Sequence, residues 1–85
     1  MIVLRVDFKP YTSRKWAIEK MTKIGLSEAP DGIDTDGQFM LWDHINGYNF
    51  HAFVGVSVEK KVQVSRELRL ISRVTSAEEF NTKGA

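Results

Sequence analysis

Phe39-Met40-Leu41-Trp42-Asp43-His44-Ile45-Asn46-Gly47-Tyr48-Asn49-Phe50-His51-Ala52-Phe53-Val54 is the stretch that decides the fold. Asn46-Gly47 predicts a two-residue type I′ hairpin turn, because both residues tolerate the positive φ that this turn demands. In that register Ile45 faces Tyr48, Asp43 faces Phe50, Leu41 faces Ala52 and Phe39 faces Val54. One face then collects Phe39, Leu41, Ile45, Phe50, Ala52 and Val54, and runs on to Val56 and Val58. It is a core face interrupted only by Asp43. A four-residue loop keeps these faces, whereas a three-residue loop scrambles them. The opposite face carries Met40 across from Phe53, Trp42 across from His51, and His44 across from Asn49. The solvent side of an antiparallel sheet is normally polar. Here it holds Trp, Phe, Met and two His.

Upstream, residues 2–9 alternate, with Ile2, Leu4, Val6 and Phe8 on one side and Val3, Arg5, Asp7 and Lys9 on the other. This is the period of a half-buried strand, and Pro10 ends it. Thr12 or Ser13 offers a hydroxyl N-cap. Ala17, Met21 and Ile24 then recur at helical spacing, flanked by Trp16 and Ile18, which predicts an amphipathic helix over 13–25 with Gly25 past its end. Its outer face is basic, with Arg14, Lys15, Lys20 and Lys23 against Glu19. Arg14 and Lys15 fall in the first turn, where the helix dipole disfavours cations. Residues 27–37 carry turn chemistry around Pro30-Asp31-Gly32. Read as an EF-hand loop from Asp34, they place Gln38 and Phe39 where an acid and a glycine are required, so that match fails.

Downstream, residues 61–74 alternate again. Val62, Val64, Leu68, Leu70 and Val74 share one side, with Arg66 and Ser72 as exceptions. The β-branched density predicts a strand, against a rival helix through Val64, Leu68 and Ile71. Thr75 and Glu78 have capping-box spacing, which predicts a helix from Thr75 through Phe80. The elements add up to one small α+β domain over residues 1–80, in the order β-α-β-β-β-α, with a mainly antiparallel sheet packed on one amphipathic helix and a flexible tail at 81–85. The expected core is Ile2, Leu4, Val6, Phe8, Ala17, Met21, Ile24, Leu41, Phe50, Val54, Val56, Leu68 and Leu70.

The formal charge of +1 conceals segregation. Residues 1–27 carry six bases and two acids, 28–58 five acids and no base, and 59–77 five bases and two acids. Such a field steers charged partners despite a small net charge. Without cysteine the chain has no disulfide, thiolate metal site or thiol nucleophile. The start is too short for a signal-peptide core, and no run approaches a membrane span, so a cytoplasmic location is expected. Val54-Gly55-Val56-Ser57-Val58-Glu59 lacks the second glycine of a nucleophile elbow. His44 and His51 lie diagonally on the hairpin, but no third ligand shares their face, so neither a metal nor another cofactor is expected. Asp43 and Arg66 both interrupt apolar faces. Either they pair at the sheet margin, or both lie near strand ends and reach water.

No catalytic set assembles, so the expected function is a non-enzymatic protein-binding module. It would be a small regulator or inhibitor of viral or mobile-element type, or a subunit of a larger assembly. Its contact residues would be Met40, Trp42, His44, His51, Phe53, Arg69 and Arg73, since interface cores enrich aromatics, Met and Arg. The rival covers for this face are the C-terminal helix through Phe80 and a homodimer mate. Nucleic-acid binding ranks second. Aromatics on a sheet stack bases, but the acidic loop repels phosphate.

Overall fold

A computed structural model describes residues 1–80; the tail expected at 81–85 lies outside the described residues. The elements are β1 (Ile2–Phe8), α1 (Arg14–Lys23), β2 (Ser27–Glu28), β3 (Gln38–Asp43), β4 (Phe50–Val56), α2 (Lys61–Arg69) and β5 (Val74–Glu79), with a 3-10 turn at Val58–Lys60 leading into α2. They form one five-stranded sheet in the order β2-β3-β4-β1-β5. All neighbours are antiparallel except β2 and β3. With the two-residue β2 set aside, this is a β-α-β-β-α-β chain in which β4 is inserted between β1 and β3, the split β-α-β pattern. The α+β class and the mainly antiparallel sheet stand. The radius of gyration, 11.9 Å, is what a compact chain of this length gives.

The core lies between the sheet and both helices. Leu4, Val6 and Phe8 of β1, Phe39 of β3, Phe50, Ala52, Val54 and Val56 of β4, and Ala77 of β5 meet Ala17 and Met21 of α1 and Leu68 of α2. Helix α1 starts where the hydroxyl of Ser13 accepts from the Trp16 amide at 3.2 Å. Gly25, at φ +98°, takes the chain out of the helix.

Two expected elements are corrected. Residues 61–69 are helical, and 74–79 form a strand rather than a helix begun at Thr75. Two-residue periodicity leaves Arg66 and Ser72 among the apolar side chains. Helical spacing instead gathers Val64, Ser65, Leu68 and Ile71, and leaves Arg66 exposed. Leu70 accordingly turns to solvent, at 79% exposure, and Ile71 takes the core place expected of it. For residues 74–79, the backbone of β1 supplies a ladder that outweighs a capping-box preference. Val6 pairs with Ala77, and the Phe80 amide donates to the Val3 carbonyl at 2.8 Å. The expected single helix therefore has a companion on the same sheet face.

The hairpin register is the one its alternation predicts: Phe39↔Val54, Met40↔Phe53, Leu41↔Ala52, Trp42↔His51 and Asp43↔Phe50. The turn differs. Gly47 has φ +75° but Asn46 does not share it, so a type I′ turn is excluded. The loop holds four residues, closed by the Gly47 amide on the His44 carbonyl, and by the Asn46 carboxamide oxygen, which accepts from the amides of Tyr48 and Asn49. Four residues preserve the faces that two would have set. Asp43 pairs with Arg14 of α1 rather than with Arg66. The same guanidinium lies over the Phe50 ring, 5.6 Å from its centroid. This explains a cation in the first turn of α1: its partners lie across the core margin, not along the helix.

Candidate interaction face

Both helices occupy one side of the sheet, so the other side presents the alternate residues of four strands. Cross-strand pairing aligns Met40, Phe53, Arg5 and Glu78 in one row, and Trp42, His51, Asp7 and Ser76 in the next. Phe53 is the hub of the aromatic group. Its ring centroid lies 6.5 Å from Trp42, 4.9 Å from His51 and 5.1 Å from Phe80. The contacts with Trp42 and His51 are edge-on, the arrangement aromatic quadrupoles prefer. Phe53 is half-buried, while Trp42 keeps 55% of its surface exposed.

The polar half of this face pairs largely with itself, although the buried carboxamide oxygen of Asn49 has no hydrogen-bond partner among the described residues. Asp7 accepts from Nε and Nη2 of Arg5 at 3.2 and 3.1 Å on one oxygen, and from the Ser76 hydroxyl at 3.0 Å on the other. His44 Nε2 and His51 Nδ1 lie 2.7 Å apart, so one ring donates to the other. His51 is buried and its pKa is lowered, first by desolvation and then by the charges of Arg5 and His44, with Asp7 opposing. A neutral imidazole is thus what this pair requires. Ser76 gives its proton to a carboxylate already held by Arg5. Among the described residues no group of three or more His, Asp or Glu side chains is placed to hold a metal ion.

Of the expected contact residues, the fold brings together Met40, Trp42, His44, His51 and Phe53. Arg69 and Arg73 do not join them. Arg69 follows Ser65 on α2 and reaches the Ala77 carbonyl at 3.4 Å. Arg73 clasps the β1–α1 connection, donating to Thr12 Oγ1 at 2.8 Å and to the Pro10 carbonyl at 3.0 Å. The basic helix face is also divided. Arg14 is held by Asp43, and Lys20 lies over the Trp16 ring at 5.5 Å. Lys15 is exposed. Lys23, with Lys20, borders an open groove of about 790 Å³ between the helices, floored by Trp16, Ile24 and Leu70.

Sequence reasoning turns Arg5 away from the core but leaves Arg5, Ser76 and Phe80 out of the contact residues. The signal is present as the alternation of Ser76, Glu78 and Phe80. The capping-box reading hides it, because it puts Phe80 on a helix covering this face rather than directly after a strand within it. Among the described residues no helix is long and apolar enough to cross a membrane. Neither family models, nor curated proteins, nor solved structures contain a match to this chain.

Proposed function

We propose that this chain is a non-enzymatic protein-binding module that acts by occupying a partner's surface through the outer sheet face. The observation that carries the reading is the Trp42–Phe53–Phe80 ridge, which stands on the side of the sheet opposite both helices. A contiguous apolar patch of this kind on a small domain marks a contact surface. Tryptophan in such a patch is a common energetic anchor. Met40 extends the ridge, and the paired Arg5–Asp7 and His44–His51 groups form a polar border. The test is comparative capture from one cell extract by wild type, Trp42→Ala and Lys15→Ala. The expected outcome is a set of proteins retained by wild type and Lys15→Ala and absent from Trp42→Ala, with the Trp42→Ala melting temperature within a few degrees of wild type. Unchanged retention, or an unfolded variant, removes this role from Trp42.

A second reading is favoured by one observation: a split β-α-β sheet with an aromatic on a central strand is a geometry that stacks single-stranded bases. Charge opposes it. Arg5, the basic residue in the aligned rows, is held by Asp7, and Glu78 stands beside it. A titration with single-stranded nucleic acid at low and high salt separates the readings, because phosphate contacts impose a steep salt dependence. A flat signal at low salt eliminates the second.

A further inference from the structure

The backbone edge of β3 is open, and its geometry is self-complementary. The Ala29 amide donates to the Phe39 carbonyl at 2.7 Å, so Phe39 directs its main-chain groups away from β4. Main-chain direction alternates along an antiparallel strand. Leu41 and Asp43 therefore also direct N–H and C=O outward, whereas the His44 amide points inward to the Asn49 carbonyl at 3.0 Å. Strand β2 pairs only with Gln38 and Phe39 and then leaves. The outward groups of Leu41 and Asp43 thus have no strand neighbour among the described residues. No proline or lysine interrupts this segment, although these are the usual guards of an exposed edge.

We propose that this edge pairs with the same edge of a second copy of the chain, antiparallel about a two-fold axis at Trp42. Three two-fold registers bring outward residues together. Centring on Leu41 sets Asp43 against Phe39, whose outward groups β2 already uses. Centring on Asp43 sets the two Asp43 carboxylates opposite each other, which is destabilising. Centring on Trp42 pairs Leu41 with the partner's Asp43 and Asp43 with the partner's Leu41. All eight free main-chain groups of the two edges are then used, in four hydrogen bonds. The two Trp42 side chains become direct neighbours on the outer face, and two five-stranded sheets become one. Each aromatic ridge is thereby continued by its copy. This pairing is independent of the partner-binding reading, because it rests on the strand edge rather than on the face.

The chain has no cysteine, so each introduced thiol reports alone. In the proposed register the two Trp42 positions form a non-hydrogen-bonded pair with Cα atoms about 4.5 Å apart, within disulfide reach. Two Met40 positions lie roughly 13 Å apart, beyond it. Under mild oxidation Trp42→Cys should form a covalent dimer and Met40→Cys should not. Met40→Cys mixed with His44→Cys should give the mixed disulfide. Wild type should rise in solution mass from 9.7 kDa toward twice that value with concentration. Leu41→Asp and Leu41→Lys remove the same half-buried leucine but place opposite charges against Asp43. The aspartate variant should need about tenfold more protein to dimerise than the lysine variant. A wild type that stays monomeric at about millimolar protein, far above ordinary dimer dissociation constants, overturns the proposal. So does a dimer in which Met40→Cys cross-links as readily as Trp42→Cys, or in which neither variant cross-links.

Discussion

The two edges of the sheet are built differently. At β5 the outward carbonyl of Ala77 is covered from α2, by the Ser65 hydroxyl at 2.7 Å and by Arg69. One turn earlier Lys61 pairs with Glu79 at 2.6 Å. Side chains of the helix packed over it thus cap this part of the edge. At β3 the cover is a two-residue strand that stops at Glu28, and beyond it the main chain has no strand neighbour among the described residues. Edge guarding is a local property, supplied by whichever neighbour reaches the strand, and a domain this small has one helix free for the task. Helix α1 reaches elsewhere. It sends Arg14 to the Asp43 side chain and leaves the backbone beside it uncovered.

Breaking the guarded edge should have the largest effect. Leu68 is fully buried and holds α2 on the sheet. Leu68→Ala should cost about 2–5 kcal/mol, read as a large fall in the denaturation midpoint. It should also raise hydrogen exchange along β5 before the β3–β4 hairpin. Ser65→Ala leaves the Ala77 carbonyl with only the distant Arg69 and should cost about 1–2 kcal/mol. In a domain of this size that is a melting-temperature drop of roughly 4–12 °C. An unchanged midpoint would mean that water replaces the hydroxyl and that the edge is less closed than the distances imply.

The open half should answer to pH. The pKa of His51 is lowered in the folded chain, so the unfolded chain binds more protons as pH falls. This contribution is complete above the ordinary histidine value and is lost as pH drops through the lowered folded value. Denaturation midpoints compared at about pH 7 and about pH 5 should fall for wild type and fall less for His51→Gln. Exchange should rise first in the hairpin, where His44 and His51 meet. The smallest effect is expected from Arg14→Ala. The ion pair with Asp43 is exposed on both sides, and its loss should change stability by about 1 kcal/mol or less, and less again in high salt.

The same division explains what is legible in the sequence. The β3–β4 register follows from period-two alternation that either a two- or a four-residue turn preserves, so an error about the turn does no harm. Met40, Trp42, His51 and Phe53 group correctly for that reason. The last third resists because Val64 and Leu68 satisfy both periods, while Val62 and Leu70 fit the strand period alone. What decides between them is tertiary: β1 needs a second neighbour, and 74–79 can supply it only if 61–69 crosses over as a helix. Arg69 and Arg73 belong to the aromatic face on the strand reading alone and leave it with that reading. The Arg14–Asp43 pair joins residues 29 positions apart, and no local pattern announces it.

Strand β1 is the first element of the chain and lies second from one side of the sheet, between β4 and β5. During synthesis, its apolar alternation leaves the ribosome long before either neighbour has been made. Until Val74–Glu79 follows, β1 has a bare flank of its own, and that flank is central and apolar rather than short and charged. The nascent chain therefore passes through a stage at which an inner strand of the finished sheet carries an unpaired edge. A truncation that ends before Val74 would hold the protein at that stage.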